Sequence, residues 1–362
     1  MDYKSYLLSL ILLFSGISGL QAREVAEDKK LLVISSYSPL KERGSRIISA
    51  FIEELGLNTD VKVNIEYLDC EANPNFEDWS SWMNSLFHAY SVLPKAVILI
   101  GSEAWMAYRH SCIEKWKGIP VILGGVKRGI IDYSGVKAKD IHDILSTETT
   151  FDGYKVAGYY IVDYFEENLR LIKQLQPEVK HILLYYDDRY RQIFFEPYLK
   201  SIVEKIGGLK IHYFPGSRLS TTALLDSIAL ADNHCALISA GWYTDVNKSL
   251  HASTMLSNEL PYHTDKFVYG ILDLDFGDSR NFGGYFVTGE ELGRDLASLT
   301  YTVLKNGIEK APFFTITPTR PRYHLNYSIF SQSGISKSRL PENVVWHNML
   351  QYNKEHLQKD AP

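Results

Sequence analysis

One buried strand–helix–strand unit, from Ala96 to Lys127, constrains this chain more than any other stretch. Ala96-Val-Ile-Leu-Ile-Gly101 is apolar and β-branched, with the length of a strand. Ser102-Glu-Ala-Trp-Met-Ala-Tyr108 reads as a helix entered through Ser102 as N-cap. Ile119-Pro-Val-Ile-Leu123 is a second apolar strand, closed by Gly124 and Gly125. Neither strand alternates with polar residues, so both faces are covered, as in a parallel sheet flanked by helices. Ligands of such sheets sit beyond the carboxyl ends of the strands, beside helix N-termini. Those ends carry Gly101, Ser102, Glu103 and Gly125.

The same rhythm runs before and after this unit. Leu31 to Tyr37 is a first strand passing into Ser35-Ser36-Tyr37, and Leu40 to Leu55 is a helix stopped by Gly56. Val61 to Tyr67 alternates as a strand, and Phe76 to Tyr90 is an aromatic-rich helix. From Lys127 to Phe151 no element is clear, and the chain is expected to cross here into a second lobe. A helix at Tyr164–Gln174, a strand at His181–Tyr186 ending in Asp187-Asp188, and a helix at about Gln192–Ile206 restart the pattern. A strand at Leu209–Phe214, a Ser-capped helix at Ser220–Leu230 and a strand at Ala236–Ala240 opening into Gly241-Trp242-Tyr243 follow. A short helix at about Val246–Leu256 and a last strand at Lys266–Leu272 complete it. Asp273 to Gly284 reads as loop, Glu290 to Asn306 as a helix capped by Thr288, and Tyr323–Tyr327 as one strand in a proline-rich tail.

These elements imply an α/β chain of two doubly wound parallel-sheet lobes joined by a hinge. The expected division is 31–126 for lobe 1 with 285–312 returning to it, and 127–284 for lobe 2 with 313–350 packing on it or on the hinge. Residues 1–22 read as a signal peptide: Lys4 precedes an apolar run too short to span a bilayer, and Ala22 suits cleavage. A periplasmic or extracellular location is expected, with secretion through that cleaved signal.

With 362 residues, a net charge of −5 and no basic cluster, the chain gives no sign of nucleic-acid binding. Its three cysteines, Cys70, Cys112 and Cys235, lack metal-ligand spacing. Buried thiols are expected, a Cys70–Cys112 disulfide being the alternative. No HExxH, GxSxG, P-loop or GxGxxG motif is present, so neither cofactor nor metal is expected and the chain reads as a non-enzyme. A cleft hydrolase or lyase is the remoter alternative.

Candidate ligand contacts lie at the strand ends. Ser35, Ser36 and Tyr37, with Gly101, Ser102 and Glu103, offer hydroxyls and amides for a sugar, carboxylate or phosphate, or else merely cap a helix. Trp242 and Tyr243 offer flat aromatic surface to a ligand, or pack in the core or between lobes. Asp187 ends its strand at the same level, either for a ligand or in a solvated turn. Asp273, with Asp275 and Asp278, lies at a crossing without the closing Glu of a calcium loop.

Val33-Ile-Ser-Ser-Tyr37, Ile65-Glu-Tyr-Leu-Asp69, Ile98-Leu-Ile-Gly-Ser-Glu-Ala104, Pro120-Val-Ile-Leu-Gly-Gly-Val126, Gly283-Gly-Tyr285 and Tyr323-His-Leu-Asn-Tyr327 together carry a resemblance. In order and spacing they are similar to the periplasmic substrate-binding proteins of ABC-transporter type. The branch also serves as the extracellular sensor region of bacterial hybrid two-component histidine kinases. The resemblance implies a type I periplasmic-binding-protein-like fold, a small solute held in the interlobe cleft, and a membrane transporter or histidine kinase as partner. A sensory or protein-interaction module without a tight solute is the alternative. The chain departs from the family at Ser102-Glu103, where an acidic pair is frequent, and at Lys127-Arg128, where Asn is frequent, so ligand specificity does not carry over.

Overall fold

The computed structural model describes residues 30–349 except 41, 74, 128–152, 188–194, 250–251 and 275–280. The stretch expected to be a signal peptide lies outside them. No helix among the described residues is long and apolar enough to cross a membrane.

The chain opens with β1 (Lys30–Ser35), α1 (Glu42–Gly56), β2 (Lys62–Tyr67), α2 (Phe76–Ala89), β3 (Ala96–Ile100), α3 (Ser102–Ser111), α4 (Glu114–Lys117), β4 (Pro120–Lys127) and β5 (Lys155–Ile161). Next come α5 (Phe165–Leu175), β6 (His181–Tyr186), α6 (Phe195–Ile206), β7 (Lys210–Pro215), α7 (Thr221–Leu230), β8 (Cys235–Ser239), α8 (Ala252–His263), β9 (Val268–Gly270) and β10 (Asn281–Phe286). The chain ends with α9 (Gly289–Asn306), β11 (Phe314–Ile316), β12 (Arg322–Asn326), α10 (Tyr327–Gln332) and β13 (Val345–His347).

Two sheets result. The first runs β2-β1-β3-β4-β5-β11 and is parallel throughout. The second runs β7-β6-β8-β9-β10-β12-β13, with only the β10–β12 pair antiparallel. Five strands of each sheet follow one order, in which the first strand lies between the second and third. Connections therefore leave to opposite sides of the first strand, and a crevice opens at its carboxyl end.

Each sheet is covered on both faces, which is why its strands are continuously apolar. In the first lobe, Leu32, Ile34, Val97 and Leu99 pack under α2 and α3 with Trp79, Phe87 and Trp105. The alternate residues Leu31, Val33, Ile98 and Ile122 pack under α1 and α9 with Phe51, Leu292 and Leu296. Burying each such aliphatic side chain contributes about 1.5–3 kcal/mol. Gly293 brings α9 close to α1, since a Cβ there would lie 2.3 Å from the Ile47 carbonyl oxygen. In the second lobe, α5 and α6 cover Ile182, Leu184 and Ile238, while α7 and α8 cover Leu183, Tyr185 and Leu237.

The chain crosses between lobes three times: at residues 162–164, at 287–288, and at 317–321. The first crossing corrects the boundary expected at Lys127. After residues 128–152 the chain adds β5 to the first sheet, pairing Val121 with Val156 and Lys127 with Ile161. Gly158 and the two tyrosines after it mask the apolar pattern of that strand. The tail also divides, β11 joining the first sheet and β12 and β13 the second.

Two other expectations change. Part of the stretch read as loop after Asp273 is β10, where Gly283 and Gly284 hide a strand that needs them. Gly283 lies so close to β12 that a Cβ would meet the His324 carbonyl oxygen at 1.9 Å. The helix expected from Val246 begins at Ala252 and runs past Pro261 to His263. All three cysteines are free, as expected, with Cys70 and Cys235 buried and Cys112 half-buried, so the alternative Cys70–Cys112 disulfide is absent.

Candidate functional site

The carboxyl ends of β1 and β3 form the crevice of the first lobe. Gly101 joins β3 to α3 at φ +96°, a backbone region that disfavours a side chain. A Cβ there would also stand 2.3 Å from the Ser36 Oγ. The tightness has a purpose: Ser36 Oγ accepts from the Ala104 N–H at 2.9 Å and caps α3 from another strand. Gly101, not Ser102, is the N-cap residue. Ser102 is the first helical residue, and its Oγ accepts from the Lys127 N–H at 3.1 Å, tying α3 to the end of β4. Ser35 Oγ donates to the Tyr37 carbonyl at 2.9 Å. Gly125, at φ +67°, forms the irregularity in β4 beside Gly101, whose N–H donates to the Gly124 carbonyl. The three serines therefore build the loops, and all three are buried.

Glu103 differs from them. It sits in the first turn of α3, where the helix dipole favours negative charge, and is only 4% exposed. Its Oε1 accepts from the Tyr37 hydroxyl at 2.7 Å. Its Oε2 is buried without a hydrogen-bond partner. A buried carboxylate oxygen left unmatched costs about 1–3 kcal/mol or more.

An aromatic contact joins the second lobe to this crevice. Tyr243, from the loop after β8, stacks on Tyr37 with ring centroids 5.5 Å apart and planes at 29°. Trp242 is not at the mouth of the cleft. It is 2% exposed, packs edge-on to Tyr185 at 6.4 Å, and donates from Nε1 to Thr221 Oγ1 at 3.1 Å. The alternation of side chains after a strand sends Trp242 inward and leaves Tyr243 facing the other lobe. Asp245 secures the same loop, accepting from the N–H and hydroxyl of Thr221 at 2.9 Å each, and from the N–H groups of Asn247 and Ser249. Burial opposes its charge, but these bonds hold the carboxyl below its ordinary value. The Asp187 N–H donates to the Gly241 carbonyl at 2.8 Å, joining the loops after β6 and β8, and Asp187 is buried. Asp188 lies outside the described residues.

Asp273 belongs to the hinge. It is 1% exposed, forms an ion pair with Arg43 and another with Arg46 at 3.3 Å, and accepts from the Gly289 N–H at the start of α9 at 2.7 Å. Its oxygens serve one lobe from the other, which removes it from the ligand contacts. Asp275 and Asp278 lie outside the described residues. No group of three or more His, Cys, Asp or Glu among the described residues is placed to hold a metal ion. Sequence reading missed the pair Lys127–Asp163, which links the end of β4 to the first crossing. The only signal was the position of each charge just past a strand. A cavity of about 170 Å³ lined by Lys30, Asn64, Tyr90 and Pro94 lies at the amino end of β1, away from these loops.

Two lobes of matching strand order, three crossings and a crevice in each lobe at the switch point decide the fold. It is the fold of the type I periplasmic binding proteins. An ABC domain in complex with L-Trp from Streptococcus pneumonia superposes with a TM-score of 0.61 at 17% identity, covering 87% of this chain and 100% of the other. The ligand-free, open form of a substrate-binding protein from Clostridium difficile gives 0.53 at 14% identity, covering 88% and 99%. A solute-binding protein of an ABC transporter from Agrobacterium vitis, with bound allitol, gives 0.52 at 12% identity, covering 84% and 99%. At the level of sequence, no family model matches the chain and no curated protein matches it.

Proposed function

We propose that this chain binds a small solute between its lobes and does no chemistry on it. The observation that carries this reading is the pairing of Glu103 with the Tyr37–Tyr243 stack. A buried carboxylate with an open oxygen lies one hydroxyl away from the contact between lobes. A solute satisfying that oxygen would touch both lobes and favour one relative placement of them, which is population shift. The neighbours crystallised with L-Trp and with allitol support a cleft that holds a solute and illustrate how widely the solute varies.

The finer reading is that the protein is exported through its N-terminal signal and that a membrane partner, a transporter or a sensor kinase, reads lobe closure. The apolar run after Lys4 supports export. The experiment is a thermal-shift screen over amino acids, amines, polyols, nucleosides and inorganic anions, followed by small-angle scattering with any stabilising compound. A binder raises the midpoint by mass action and compacts the particle. A screen without any stabilising compound, or a binder that a denatured-state control retains, contradicts the proposal.

A further inference from the structure

The chemistry of the open oxygen narrows the solute class, given the solute-binding reading above. An ionised carboxylate only accepts hydrogen bonds. The α3 N-terminus and the Tyr37 hydroxyl supply part of what Glu103 needs, and Oε2 is left over. Arg43 and Arg46, the cations nearest the hinge on α1, form ion pairs with Asp273. Lys127 is paired with Asp163. Among the described residues these cations are held by carboxylates, so an anionic solute head would face the Glu103 charge at a site where low dielectric strengthens repulsion. A protonated amine or guanidinium would bring the N–H donors that Oε2 lacks, in a charge-assisted bond of about twice the strength of a neutral one. Tyr37 and Tyr243 add two ring faces beside the carboxylate, and such faces attract cations as well as flat apolar groups.

We infer that the cleft selects a cationic solute: a small molecule whose ammonium or guanidinium group donates to Glu103 Oε2 and whose body rests on the Tyr37 and Tyr243 rings. Oε2 is buried and the two rings are in contact in this structure, so on this inference the solute enters when the lobes part and replaces the direct ring contact.

The test is calorimetric titration of the full chain with four probes: tryptamine, agmatine, indole-3-acetate and allitol. Tryptamine and indole-3-acetate share a body and differ in the sign of the head group. The inference expects binding of at least one cation, at least tenfold tighter than the acid and the polyol. It also expects Glu103→Gln to weaken that cation at least tenfold while Tyr37→Phe, which leaves the carboxylate in place, preserves the preference for positive charge. Tighter binding of indole-3-acetate or allitol than of both cations overturns the inference and leaves solute binding standing. Absence of binding by all four, with no compaction by any compound of the wider screen, overturns both. The selectivity comparison uses the unaltered chain and does not depend on how the variants fold.

Discussion

The two strand-end clusters that face each other across the lobes are built from similar residues and end in opposite states. In the second lobe, the loop after β8 closes every account locally. Trp242 is packed and hydrogen-bonded, and Asp245 accepts from four groups of its own lobe. In the first lobe, the serines are consumed in the same way, but Glu103 keeps one buried oxygen open. Position at a strand end therefore says little about role. What separates a scaffold residue from a binding residue is whether its polar atoms are already matched within the fold.

Substitutions can break or sharpen that contrast. The largest effect is expected for Trp242→Ala, which empties a core site of the second lobe and removes the indole donor to the Thr221 hydroxyl. A loss of about 3–5 kcal/mol is expected by urea denaturation. A near-neutral result would return Trp242 to the cleft surface. Next comes Asp245→Ala, expected to cost about 1–3 kcal/mol because buried donors of Thr221 lose their acceptor. Since the folded state lowers the Asp245 pKa from its ordinary 3.8, this carboxyl contributes stability above about pH 4 that fades as pH falls through its folded value. The variant should therefore lose stability against the parent at pH 7 and converge with it in strong acid. A constant gap at all pH values would show that its charge is not what matters. The smallest effect is expected for Tyr37→Phe, at about 1 kcal/mol or less, because the bond it removes leaves Glu103 open but the ring stack intact. A loss as large as that of Trp242→Ala would mean that the first cluster is as closed as the second.

Much of the fold was legible in the residues, because β1, β3, β4, β6 and β8 are short apolar runs that only a doubly covered sheet accommodates. β5 and β10 were not, because Gly158, Gly283 and Gly284 read as breakers until the neighbouring strands show why no side chain fits there. The strand-end crevices were legible too, since the switch-point rule needs only strand ends and order. Its roles were not. Ser36 caps a helix 68 residues away, and Asp273 meets Arg43 230 positions distant, so neither assignment is available to local pattern. Tyr243 and Trp242 are adjacent in sequence and opposite in fate, which one-residue alternation at the end of β8 decides.

The account's central claim is that a solute between the lobes changes their relative placement. Leu57 and Leu230 are both strongly exposed, one beyond α1 and the other at the end of α7, so cysteines there report across the two lobes without disturbing a core. Cys70 and Cys235 are buried, and Cys112→Ser removes the remaining accessible thiol. The measurement is single-molecule energy transfer between labels at Leu57→Cys and Leu230→Cys, with and without the solute that stabilises the chain most. The account predicts a shift of population toward one transfer efficiency on binding, lost in Glu103→Gln. Saturated binding with an unchanged distribution would contradict it.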